Sequence, residues 1–100
     1  MTSSSPEAET AKDSQSNQAV STLLNHAQQA FAHHDLDAAD GWLMRAVQIN
    51  PTDPEIYYQM ALLRQAQGQK EQARQLVLRT LSLNPNKQMK QNLNNLLLQL

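Results

Sequence analysis

Three histidines and a neighbouring carboxylate are the side chains whose types and spacing come nearest to a chemical site. His26 and His33 stand seven residues apart, on nearly one face of a helix, with His34 and Asp37 close by in sequence. Imidazole with carboxylate suits a divalent transition metal. A metal centre, however, needs three or more convergent ligands steadied by outer hydrogen bonds, and this set straddles a predicted helix end and its turn. We therefore read the histidines as polar or half-buried helix residues and assign no metal. Most carboxylates of the helical region, such as Asp35, Asp37, Asp53, Glu55 and Glu71, fall at predicted helix starts, where they cap the helix and balance its dipole. The absence of cysteine removes disulfides, thiolate catalysis and thiolate metal sites together. Ser82 is a lone helical serine with no base in sequence reach, and no glycine-rich phosphate loop exists. The expectation is a non-enzymatic chain with no catalytic residue and no cofactor.

Composition narrows the partners. One hundred residues at 40% hydrophobic make one small domain, and 17% charged residues with a net charge of -1 supply no long-range field. Arg64, Lys70, Arg74, Arg79, Lys87 and Lys90 need not share a face. The aromatics Phe31, Trp42, Tyr57 and Tyr58 are not interleaved with them as a base-stacking platform requires, so nucleic acid is not expected. Residues 1–17 are polar and small around Pro6, with too little apolar surface to repay the entropy of ordering, and read as a disordered leader. No run of 18 apolar residues and no signal-like N-terminus is present, so direct membrane insertion is not expected. The compartment stays open: cytoplasmic as the chain stands, periplasmic or lipid-tethered if a signal ahead of Met1 has been trimmed.

Five helices are needed to place these residues. The first should run from about Asn17 or Gln18 to His33, with Val20, Leu23, Leu24, Ala27, Ala30 and Phe31 at helical spacing. Asp35 is placed to cap a second helix from about Leu36 to Ile49. Within that helix Gly41 lowers helix propensity by about 1 kcal/mol relative to alanine, a cost that suits close helix approach. Asp53-Pro54-Glu55 is the sharpest start signal, an acidic cap followed by proline at the first helical position. That third helix should end near Gln67, where Gly68 can turn left-handed. A fourth helix covers about Lys70 to Leu83, and Asn84-Pro85 ends it. The fifth, about Asn86 to Gln99, has one oily side of Met89, Leu93, Leu96, Leu97 and Leu100.

The pattern repeats. Asn50-Pro51 and Asn84-Pro85 stand 34 residues apart and close equivalent amphipathic stretches. Leu23, Ala27 and Ala39 recur as Tyr57, Ala61 and Ala73, and His34 as Gly68, while Ala30 against Arg64 breaks the match. On these residues the chain resembles the tetratricopeptide repeat family over about residues 20–85. The resemblance makes Tyr57, Met60, Ala61, Gly68, Ala73, Val77 and Pro85 the core and turn positions of one repeat, and Leu23, Ala27, Ala39, Leu43, Ala46 and Pro51 those of the other. His34 stands in place of the turn glycine, His26 where a large apolar residue is usual, and Thr80 where alanine is usual. The implied fold is an all-α, right-handed stack of two helical hairpins, about residues 20–53 and 54–87, with a capping helix at about 86–99.

The resemblance also implies a concave wall formed by the first helix of each hairpin. Helical phase places Ser21, Leu24, Gln28 and Phe31 there on the first helix and Glu55, Tyr58, Leu62 and Gln65 on the third. The fifth helix would add Met89, Asn92 and Leu96. Where some family members grip a terminal carboxylate with lysine and asparagine, Leu24 and Gln28 stand, so that clamp does not carry over. The expected partner is a protein or peptide segment with apolar anchors held by Leu24, Gln28, Phe31, Tyr58, Leu62, Gln65, Asn92 and Leu96. The alternative is a homodimer whose groove is filled by a second copy. Trp42 is expected as a half-buried filler near Ile49, with an anchor on the convex face as the alternative.

Overall fold

In the computed structural model the backbone is described from residue 4 and the side chains from residue 18 to residue 100. The expected disordered leader, residues 1–17, lies outside the residues described in full. Five helices follow one another: α1 (Ser4–Ala32), α2 (Leu36–Ile49), α3 (Pro54–Ala66), α4 (Lys70–Ser82) and α5 (Lys87–Gln99). No strand occurs among the described residues. From α2 onward each boundary lies within one residue of the position read from caps and breakers, whereas α1 carries upstream past Asn17 without a break.

Local chemistry accounts for those ends. Asp35 Oδ1 accepts from the Ala38 amide at 3.2 Å, Asp53 Oδ1 from Glu55 at 2.9 Å, and Asn86 Oδ1 from Met89 at 2.8 Å, each satisfying a helix-start donor. The two hairpin turns are copies of one another. His34 and Gly68 are both left-handed, with φ of 62° and 79°. The following amide reaches back across the turn in both, Asp35 to the Ala30 carbonyl and Gln69 to the Arg64 carbonyl, each at 2.8 Å.

Alanines set the helix seams. Ala27 meets Ala39 and Ala46 in one core cluster with Leu43, Ile56, Tyr57, Met60 and Leu63, while Ala61 and Val77 meet Met89, Leu93 and Leu96 in a second. Leu76 packs against both and joins them. Tyr57 is buried along its ring, and its hydroxyl donates to the Pro51 carbonyl at 2.7 Å, tying α3 to the loop before it. Thr80 is fully buried where an alanine was the family expectation; its hydroxyl donates to the Leu76 carbonyl at 2.6 Å and so carries no unmet polar demand. Gly41 departs from its expected role, because a Cβ there would meet nothing within 4 Å. No close helix approach requires it.

The fifth helix is out of step with the repeat. Asn84 turns left-handed at φ 56°, α4 ends at Ser82, and α5 begins 33 residues after α3 rather than 34. One residue is about 100° of rotation on a helix. Met89, Leu93 and Leu96 therefore take the inward places that Ile56, Met60 and Leu63 hold in α3, and all six are buried.

Candidate functional site

Contacts between helices define two unlike sides. α1 touches α3 and α3 touches α5, whereas α2 and α4 make no contact with each other. The first side carries the faces of α1 and α3 on which the sequence placed the groove.

Between α3 and α5 it holds a notch of about 160 Å³ lined by Tyr58, Leu62, Asn92, Asn95, Leu96 and Gln99. Gln65 donates to the side-chain oxygen of Gln99 at 3.1 Å at its edge. Tyr58 and Leu62 are half-buried, with part of each side chain packed on the second core cluster and part open. An apolar patch rimmed by four amides can seat an aliphatic side chain and hydrogen-bond the backbone that carries it.

The structure thus brings Tyr58, Leu62, Gln65, Asn92 and Leu96 together. Leu24 and Phe31 are half-buried against the first core cluster on α1, and Gln28 is exposed; none of the three lines the notch. Leu96 needs a correction of role. A 34-residue step puts it on the open face, but the 33-residue step turns it inward, where it is 4% exposed and serves as the floor and as core. Met89 turns inward for the same reason and does not line the notch. Asn95 and Gln99 are the lining residues that sequence reasoning missed, and a 33-residue step from Leu62 would have found Asn95.

The histidines have other surroundings. His26 stacks on Trp42 with ring centroids 4.6 Å apart, and Trp42 is half-buried as a filler should be, although its neighbours are His26 and Arg45. Among the described residues no three His, Cys, Asp or Glu side chains are close enough to hold a metal ion. No buried side-chain nitrogen or oxygen among them lacks a hydrogen-bond partner. Across α2 and α3, Asp40 meets Arg64 at 3.1 Å, which accounts for Arg64 where the first repeat has Ala30. No described helix is long and apolar enough to cross a membrane.

Comparison with known proteins adds one finding. A family model described as tetratricopeptide repeat matches residues 42–75, a single 34-residue period running from the middle of α2 through α3 into α4. No curated protein and no solved structure matches the chain. The matched third of the sequence and the five stacked helices together make this a tetratricopeptide-like repeat fold.

Proposed function

We propose that the chain is a non-enzymatic adaptor, built as two tetratricopeptide-like repeats closed by α5, which binds a protein segment on its concave face. The carrying observation is the amide-rimmed apolar notch at Tyr58 and Leu62, open on the side where α1 meets α3 and α3 meets α5. Support for α5 as a cap comes from its outer positions. At the 33-residue step Tyr57 and Ala61, buried beneath α4, become Lys90 and Asn94, both exposed. A polar outer side favours the end of an array, although Leu98, one turn further along that side, is 86% exposed.

The segment would seat an aliphatic side chain between Tyr58 and Leu62, its backbone within reach of Asn92, Asn95 and Gln99, with Leu24, Gln28 and Phe31 extending the wall along α1. The double variant Phe31→Ala/Tyr58→Ala is expected to keep its helix content while capture of a partner from lysate weakens by about 1–4 kcal/mol, the range of interface anchors. Unfolding of the variant would make these residues core and sink the proposal. Sedimentation of the wild-type chain separates the adaptor from the alternative: a monomer is expected, and a tight two-fold dimer that covers Leu24, Phe31, Tyr58 and Leu62 would assign the groove to a second copy.

A further inference from the structure

Of the four arginines, Arg64 and Arg74 have carboxylate partners, Asp40 and Glu71. Arg45 and Arg79 have none among the described residues, and they stand 34 residues apart, at the same place in successive repeats. Each guanidinium lies instead over an aromatic ring, Arg45 at 5.2 Å from the Trp42 centroid and Arg79 at 5.4 Å from that of Tyr57. A guanidinium held over a ring uses no hydrogen bond there and leaves N–H donors for a planar anion.

Each of these arginines also borders an open notch. The notch at Arg79 has about 420 Å³, with Met60 and Leu76 as apolar lining and Arg64, Gln72 and Gln75 around them. The notch at Arg45 has about 250 Å³ and is lined by Ala38, Gly41 and Trp42. Moving Ala38, Gly41, Trp42 and Arg45 along by one 34-residue period gives Gln72, Gln75, Leu76 and Arg79. The two notches are thus one feature displayed twice, on the side where α2 and α4 stand apart. Gly41, which packs against nothing, leaves the first of them open where a Cβ would have met no neighbour.

We infer that the α2–α4 side is a two-point receptor for an acidic peptide segment in which carboxylates are interspersed with aliphatic side chains. One Asp or Glu pairs with Arg45 and another with Arg79, while aliphatic groups enter the notch at Ala38 and Gly41 beside Trp42 and lie on Met60 with Leu76. Charge complementarity chooses this occupant. Arg45 and Arg79 are exposed cations with no carboxylate partner among the described residues, and the apolar lining beside each favours an anion that arrives with hydrocarbon. A bare phosphate would leave that lining unused. Each notch alone is shallow, and repetition lets one segment engage both at once. This surface is separate from the Tyr58 notch, and the inference does not depend on the adaptor reading.

The test is a titration of the isotopically labelled full chain with a capped peptide of alternating leucine and glutamate, beside the same peptide with glutamine in place of glutamate. The glutamate peptide is expected to shift the signals of Trp42, Arg45, Gln72, Gln75 and Arg79 and to bind more tightly than the glutamine peptide. Arg45→Gln and Arg79→Gln should each weaken it by up to about fivefold, the scale of an exposed ion pair. Both arginines are exposed, so the melts of these variants should match wild type. Should Arg79→Gln disturb the fold through Tyr57, Gln75→Glu tests the same notch by setting a like charge in it, with the same weakening expected. Equal binding of the two peptides, binding by neither, or shifts confined to Tyr58, Leu62 and Asn92 would each overturn the inference. So would a dimer that dissociates in Arg45→Gln/Arg79→Gln, which would give the notches to a second copy.

Discussion

α1 and α3 occupy the same place in successive hairpins, yet one face of each meets opposite outcomes. On α3 that face is Ile56, Met60 and Leu63, buried in one core cluster with Ala39, Leu43 and Ala46 of α2 at 0%, 9% and 0% exposure. On α1 the residues one period earlier are Thr22, His26 and Gln29, all exposed. The seam-forming alanines, by contrast, are the same in both: Ala27 and Ala39 in the first hairpin, Ala61 and Ala73 in the second, each no more than 2% exposed. A repeat therefore conserves what its own two helices need and varies what its neighbours demand. The histidine that first suggested a metal ligand is the polar counterpart of a core methionine.

The sharpest way to break this comparison is a pair of equivalent truncations. Leu63→Ala should cost about 2–5 kcal/mol, the range for emptying a packed leucine site, while Gln29→Ala at the matching position should change stability by less than about 0.5 kcal/mol. Denaturant midpoints of the two variants decide it; similar losses would mean that α1 is buried on both sides.

Overfilling a seam comes next. Ala61→Leu should lower stability by about 1–3 kcal/mol and with it the melting temperature, because the second core cluster closes around a residue with no exposed surface. An unchanged melt would remove Ala61 from the seam. A smaller effect of opposite sign in the two hairpins is expected at the turns. A side chain in the left-handed region carries a steric cost that glycine escapes, so His34→Gly should stabilise by about 1 kcal/mol and Gly68→Ala destabilise by about the same. If both variants moved stability in one direction, the turns would not be equivalent. The smallest change belongs to Asp40→Asn, which breaks a part-exposed ion pair to Arg64 and should cost about 1 kcal/mol or less, read from the same denaturant curves.

Helix limits were legible wherever a residue decides its own backbone: Asp53 and Pro54 start α3, Gly68 ends it, and the two Asn-Pro pairs close α2 and α4. Periodicity likewise identified the alanine seams, since small residues at a fixed spacing admit close helices wherever the hairpin recurs. The groove was legible only in part. Tyr58 and Leu62 were found because α3 keeps the 34-residue step, whereas Leu96 and Asn95 exchanged roles because the loop at Asn84 shortens that step by one residue.

The sequence alone determined an all-helical chain, its hairpin turns, and the small residues that bring each pair of helices together, since caps, breakers and helical spacing act within a few residues. Only the tertiary structure decided which side of α5 faces inward, that Arg64 is neutralised by Asp40 while Arg45 and Arg79 meet no carboxylate among the described residues, and that an unpacked Gly41 opens a notch beside Trp42. Those outcomes depend on how helices distant in sequence rotate and stand against one another. A one-residue change in a loop turns a whole helix face by about 100°, and no local pattern within that helix records it.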